Sequence, residues 1–177
     1  MRGFLAVPLG SLDKMFPVLE QINREYEKTA KSVSPEQIHI TLRFFGNIDD
    51  ITASRITQAM EKINFQPFRV RAESVGQFPS RGLANVLYIK IYSPEIYVLE
   101  KTVSKALSLE GIPEEKKPFV PHITISRFRK PADLKNIMVR FGNEKFTDEV
   151  CKRLIFFKSE LTSGGPHYEI IKEIQLK

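Results

Sequence analysis

Gln37-Ile38-His39-Ile40-Thr41-Leu42-Arg43-Phe44-Phe45 and Pro121-His122-Ile123-Thr124-Ile125-Ser126-Arg127 carry one four-residue pattern twice: histidine, aliphatic, threonine, aliphatic. The chain has 177 residues with only three histidines (His39, His122 and His167) and eight threonines, so two matched pairs are improbable by accident. The motif histidines lie 83 residues apart, close to half the chain. An internal duplication, two lobes related by a pseudo-twofold axis, accounts for both the match and the spacing. Both segments alternate and read as strands. Along a strand successive side chains point to opposite faces, so His39, Thr41 and Arg43 share one face, opposite Ile38, Ile40, Leu42 and Phe44. In the second copy His122, Thr124 and Ser126 oppose Ile123 and Ile125. The aliphatic face belongs to the core. Each copy therefore offers an imidazole and a hydroxyl on the other side.

Outward from the motifs, strands are expected at residues 2–8, 37–45, 68–78, 85–92, 122–128, 154–161 and 168–176. Helices are expected along the stripe from Leu12 to Ala30, with Pro17 bending or separating the first turn, and after the cap Asp49-Asp50. Two more are expected, one from Ser93-Pro94 to a stop at Gly111 and a short one from about Pro131 to Phe141. Pro79-Ser80-Arg81-Gly82 and Ser163-Gly164-Gly165-Pro166 read as turns. The order β-α-β-α-β-β-α-β-α-β-β implies a mixed α+β fold with mostly antiparallel sheet. A single domain over residues 1–177, made of two lobes, is expected, since no linker is long enough to separate independent units.

Composition narrows the function classes. The chain has 27 Lys+Arg against 21 Asp+Glu, a formal charge of +6 and a sequence pI of about 9.4. That balance permits a polyanionic partner such as RNA, or simply a basic surface. No apolar run reaches the roughly 18 residues of a membrane span. Met1–Pro8 is too short an apolar stretch for a signal peptide. The single cysteine, Cys151, excludes an internal disulfide framework and a multi-cysteine zinc site. The expected location is the cytoplasm, with no membrane partner. No G-x-x-x-x-G-K-[ST] is present, which argues against P-loop nucleotide hydrolysis.

Two histidines facing each other across a cleft suit acid–base chemistry at phosphorus. One neutral ring takes a proton from the nucleophile while the other, protonated, gives one to the leaving oxygen. Imidazole, with an unperturbed pKa of about 6.5, can supply both states near neutrality. The threonines would hold non-bridging oxygens. No metal or cofactor is expected: H-E-x-x-H is absent and no carboxylate joins either motif. His167 follows Gly-Gly-Pro and reads as a surface residue.

The sequence resembles the 2H phosphoesterases, and within them the RNA 2′,3′-cyclic phosphodiesterase (2′-5′ RNA ligase) family, whose mark is this paired His-x-Thr-x motif. Flanking segments are similar too: Phe4-Leu5-Ala6-Val7-Pro8-Leu9, Ser34-Pro35-Glu36-Gln37, Gly76-Gln77-Phe78-Pro79 and Gly165-Pro166-His167-Tyr168-Glu169. The resemblance implies a bilobal fold with sheets lining a central cleft and helices outside. It implies metal-independent hydrolysis of 2′,3′-cyclic phosphate RNA ends, or of cyclic nucleotides, to 2′-phosphomonoesters. The reverse step would form a 2′-5′ linkage. The resemblance makes His39 the proton donor and His122 the proton acceptor. It also places an aromatic, Phe44, and an arginine, Arg127, in substrate binding. Strict alternation sets both on the face opposite their histidines, so these roles require the strand to end, bulge or twist after the fourth motif position. Arg43 and Ser126 have the right parity and are secondary substrate-binding candidates. The chain is expected to act as a monomer. The alternative is a non-catalytic RNA-end or nucleotide-binding protein that uses the same cleft.

Overall fold

The computed structural model describes residues 1–177 apart from Ser11, Ser163 and Gly164, and apart from the side chain of Glu36. The Ser163-Gly164 half of the second expected turn lies outside the described residues. The element order is β1 (Arg2–Pro8), α1 (Phe16–Tyr26), β2 (Ala30–Ser32), β3 (His39–Asn47), α2 (Asp50–Glu61), β4 (Phe68–Phe78) and β5 (Ala84–Tyr92). It continues with α3 (Pro94–Leu109), β6 (His122–Ala132), α4 (Lys135–Phe141), β7 (Lys145–Cys151), β8 (Arg153–Thr162) and β9 (Gly165–Gln175). Short 3-10 turns precede α1 at Asp13–Met15 and β3 at Pro35–Gln37.

Local chemistry sets these elements. The separate turn before α1 is where Pro17 denies the first residues a continuous helix. Asp49 caps α2 by accepting from the Thr52 N–H at 2.8 Å. Helix α3 buries Ile96, Leu99, Val103, Ala106 and Leu107, one stripe at helical spacing, and Gly111 then ends it at φ +75°, a conformation that favours glycine. Two strands escape a reading of periodicity. β2 is only three residues, Ala30-Lys31-Ser32, and β7 mixes Asp148 and Glu149 into an edge strand. Backbone pairing to β6 and β4, not apolar alternation, holds them.

All strand pairs are antiparallel, in two sheets of order β3-β1-β8-β9 and β2-β6-β5-β4-β7. The repeat is visible in the order. Each motif strand pairs with the strand that precedes its helix: β3 with β1, and β6 with β5. Beyond that partner lies a strand from the other half of the chain: β8 beside β1, and β4 beside β5. The halves are thus interleaved, and one apolar cluster draws Leu5, Ile40 and Phe156 from the first sheet and Leu87, Ile123 and Val75 from the second. Among the described residues no helix is long and apolar enough to cross a membrane.

On β5, Leu87, Ile89 and Ile91 are buried, which turns Tyr88 to the opposite face. Its ring lies directly over Gly76 of β4, where a Cβ would fall 2.5 Å from the ring. Only glycine leaves that space. Gly76→Ala is expected to push Tyr88 out of place and to cost about 1–3 kcal/mol, the usual cost of overpacking. Urea denaturation checks this, and an unchanged midpoint would mean the ring has room to move.

Candidate active site

The two motif strands bring their histidines to one cleft. His39, Thr41, His122 and Thr124 line a cavity of about 120 Å³ together with Lys31, Gln37, Arg127 and Tyr168. Each ring is held in the same way. His39 Nδ1 donates to the Gln37 carbonyl, and His122 Nδ1 to the Val120 carbonyl, both at 2.7 Å. A carbonyl oxygen can only accept, so Nδ1 carries the hydrogen in each ring. Nε2 is then the atom left for a substrate, an acceptor in the neutral ring and a donor in the cation.

Aromatic pairs back both imidazoles. Phe4 lies 5.0 Å from the His39 ring and stacks on Phe157 at 5.1 Å, with Tyr168 edge-on to His39 at 5.6 Å. Tyr88 lies 5.3 Å from the His122 ring and stacks on Phe78 at 4.4 Å. These walls remove water, and burial pushes His39 below its ordinary value. The Gln37 carbonyl opposes that shift, while the charges of His122 and Arg127 add to it. Burial likewise lowers His122, with the Val120 carbonyl opposing and Arg127 adding. Tyr168 moves the other way: burial raises it, partly offset by Arg127 and Arg2, so it stays a neutral phenol that can donate.

Strict alternation breaks at the fourth motif position in both copies. On β3 the register runs Ala6–Thr41 and then Leu5–Arg43, skipping Leu42. On β6 it runs Tyr88–Thr124 and then Leu87–Ser126, skipping Ile125. One extra residue in the bulged strand reverses the parity beyond it. The expectation that placed Ser126 and Arg43 on the cleft face is therefore corrected. Ser126 is fully buried beside Ile125, its Oγ 3.4 Å from Ser32 Oγ. Arg43 turns away from the histidines, its Nε buried and its guanidinium donating to the Pro113 carbonyl. The assignment of Phe44 to the core face is corrected as well. Phe44 is 48% exposed and, with Arg127, lines a groove of about 550 Å³ that continues from the cleft past His39. His167 is exposed, as expected of a surface residue.

Three further residues face the cleft that the sequence did not single out. Lys31 sits directly across the β2–β6 ladder from Arg127, which doubles the positive charge at that point. Gln37 donates from Nε2 to the Pro166 carbonyl at 2.8 Å, tying β9 beside His39 and carrying Tyr168 with it. Arg2 reaches the same groove with its guanidinium 5.5 Å from the centre of the Phe44 ring. Gln37 and Tyr168 each lie in a segment with family likeness, whereas Lys31 and Arg2 carried no signal. Among the described residues no group of three or more His, Cys, Asp or Glu is placed to hold a metal ion.

Comparison with known proteins agrees with this geometry. The sequence profile of the 2′-5′ RNA ligase superfamily matches residues 13–153. The chain belongs to that superfamily. An RNA 2′,3′-cyclic phosphodiesterase of Methanocaldococcus jannaschii is 30% identical over 98% of this chain and 99% of its own length. One of Archaeoglobus fulgidus is 30% identical over 97% and 98%. A crystallised protein of Thermus thermophilus superposes with a TM-score of 0.77 at 26% identity, covering 99% of this chain and 98% of that one. E. coli LigT, crystallised with 3′-AMP, shares the fold at a TM-score of 0.75 and 18% identity over 99% and 97% of the two chains. The bilobal, mostly antiparallel α+β architecture of the 2′-5′ RNA ligase superfamily is thus the architecture of this chain.

The lowered imidazoles make a signed prediction. Below the unfolded histidine pKa of about 6.5 the unfolded chain binds protons that the folded chain refuses, so stability is lost as pH falls and is unaffected above. A dianion in the cleft favours the protonated rings and reverses the trend. Sulfate, dianionic throughout, is expected to raise the melting temperature increasingly between pH 7.5 and 5.5, and His39→Asn with His122→Asn to remove most of that gain. Sulfate stabilisation independent of pH would contradict it.

Proposed function

We propose that this protein is an RNA 2′,3′-cyclic phosphodiesterase that opens cyclic phosphate ends to 2′-phosphomonoesters through its two motif histidines. The observation that carries the reading is the matched pair of imidazoles, each with Nδ1 held by a carbonyl and Nε2 left for substrate, in one cleft with two threonines. Water gives a proton to His122 Nε2 as its oxygen bonds to phosphorus. The bond from phosphorus to the 3′ oxygen breaks, and that oxygen takes the proton from His39 Nε2. The 2′ oxygen keeps the phosphate. Thr41 and Thr124 hydrogen-bond the non-bridging oxygens, and Arg127 with Lys31 neutralises their charge. The curated relatives over nearly the full length support the substrate class.

The two rings perform the transfers that a metal-bound water would otherwise require, so activity is expected to survive EDTA. We place the protein in the cytoplasm, acting as a monomeric single domain of two lobes. The free, buried Cys151 fits a reducing compartment.

The deciding assay resolves the 2′- from the 3′-phosphate product of an oligonucleotide ending in a 2′,3′-cyclic phosphate. The 2′-phosphate is expected. His39→Ala and His122→Ala should each lower kcat by about 10²–10⁴, the usual worth of one proton-transfer group. Thr41→Ala and Thr124→Ala should cost less. Wild-type turnover in either histidine variant would sink the mechanism, and tight RNA binding with no product would make the protein a binding module instead.

A further inference from the structure

The cleft opens at two mouths, one past His39 lined by Arg2, Phe44 and Tyr168, the other past His122 lined by Phe119, Glu115 and Lys117. The central cavity between them, about 120 Å³, is small beside the usual size of small-molecule sites, about 300–1,000 Å³. It suits the reacting phosphate, with the rest of the substrate outside. Tyr168 lines this cavity with the two histidines and two threonines, whereas Tyr88, the tyrosine beside His122, does not. The Tyr168 ring is fixed edge-on to Phe4 at 5.1 Å and to His39 at 5.6 Å, with Phe157 at 6.0 Å. Its hydroxyl has no hydrogen-bond partner among the described residues. A phenol packed this closely ordinarily finds one.

Gln37 serves both His39 and the strand that carries Tyr168. Its main-chain carbonyl accepts from His39 Nδ1 at 2.7 Å, and its side-chain Nε2 donates to the Pro166 carbonyl at 2.8 Å. Pro166 and Tyr168 lie two apart on β9, share a face and both line the cavity. His122 has no such link, because Val120, which supplies its carbonyl, has an apolar side chain. We propose that Tyr168 is a further catalytic residue whose hydroxyl donates to a non-bridging oxygen of the reacting phosphate, with Gln37 as the residue that positions it. This rests on the phosphodiesterase reading and adds a donor to it. A cyclic diester carries one negative charge and the 2′-monoester product about two at neutral pH, since the second pKa of a phosphomonoester is about 6. A donor to those oxygens holds the reacting state more tightly than the substrate, so it raises kcat rather than lowering KM. Tyr168 gives up no proton; both transfers stay with His122 and His39.

The test compares wild type with Tyr168→Phe on an oligonucleotide ending in a 2′,3′-cyclic phosphate. The substitution removes one oxygen, breaks no hydrogen bond among the described residues and keeps the ring, so the variant is expected to fold as wild type. Its kcat should fall about tenfold to hundredfold, between the worth of an ordinary hydrogen bond and of an oxyanion-hole donor, with KM changed by less than about threefold. Gln37→Met keeps the main-chain carbonyl on His39 and removes only the side-chain donor. It should lower kcat about threefold to tenfold in the wild-type background and less than about twofold in Tyr168→Phe, because positioning is worth nothing once the hydroxyl is gone. A merely structural role for Gln37 gives the same loss in both backgrounds. If Gln37→Met does not fold, Gln37→Glu carries that comparison. Unchanged kcat in Tyr168→Phe would overturn the catalytic role, since a ring that only packs or stacks survives the substitution, and additive losses would overturn the positioning role. Absence of hydrolysis by wild type would overturn the phosphodiesterase reading itself.

Discussion

A one-residue bulge at the fourth position of each His-x-Thr-x motif lets a single strand serve both the core and the cleft. Before it, alternation sends Ile40 and Ile123 inward and the histidines and threonines outward. At the bulge two consecutive residues leave the central histidine cavity, Leu42 with Arg43 and Ile125 with Ser126. Beyond it the fifth residue after each histidine regains the cleft side, so Phe44 and Arg127 join the groove. Without the extra residue, strict period-2 geometry would bury an arginine and a phenylalanine and expose a serine. The site therefore depends on a local break in the regularity that makes the strands recognisable.

Duplication supplies two equivalent histidines, and the chemistry needs two different ones. Within the cleft they are nearly equivalent: the same carbonyl two residues back, the same aromatic backing and the same direction of pKa displacement. The difference lies in what surrounds them. Arg2 and Lys31, from β1 and β2, gather on the His39 side, while the loop between α3 and β6 brings Glu115, Lys117 and Phe119 to the His122 side. Arg43 belongs to this asymmetry, since its contact with the Pro113 carbonyl ties the start of that loop to β3. The same loop delivers the Val120 carbonyl to His122.

The elements with strong periodic patterns were legible in the sequence, and β4 is found over the expected residues 68–78. The weakly patterned ones were not. β2 is three residues long and β7 buries only Phe146 and Cys151, five positions apart and of opposite parity, so no alternation betrays these two edge strands. Of the site, the two histidines and two threonines were legible because the motif repeats. Lys31 was not, because its place depends on β2 pairing with β6 across nearly a hundred residues of chain.

By itself, then, the sequence determined the α+β class, the duplication and the paired imidazole–hydroxyl chemistry, since these follow from residue type and local period. Tertiary structure decided which residues accompany them. The bulges that exchange Arg43 and Ser126 for Phe44 and Arg127 are set by pairing with β1 and β5, and the charge of each mouth by strands and loops distant in the chain. Alternation carries no record of a bulge, because the inserted residues Leu42 and Ile125 are as aliphatic as Ile40 and Ile123 two positions before them. Only the ladder beside it reveals that two residues oppose one.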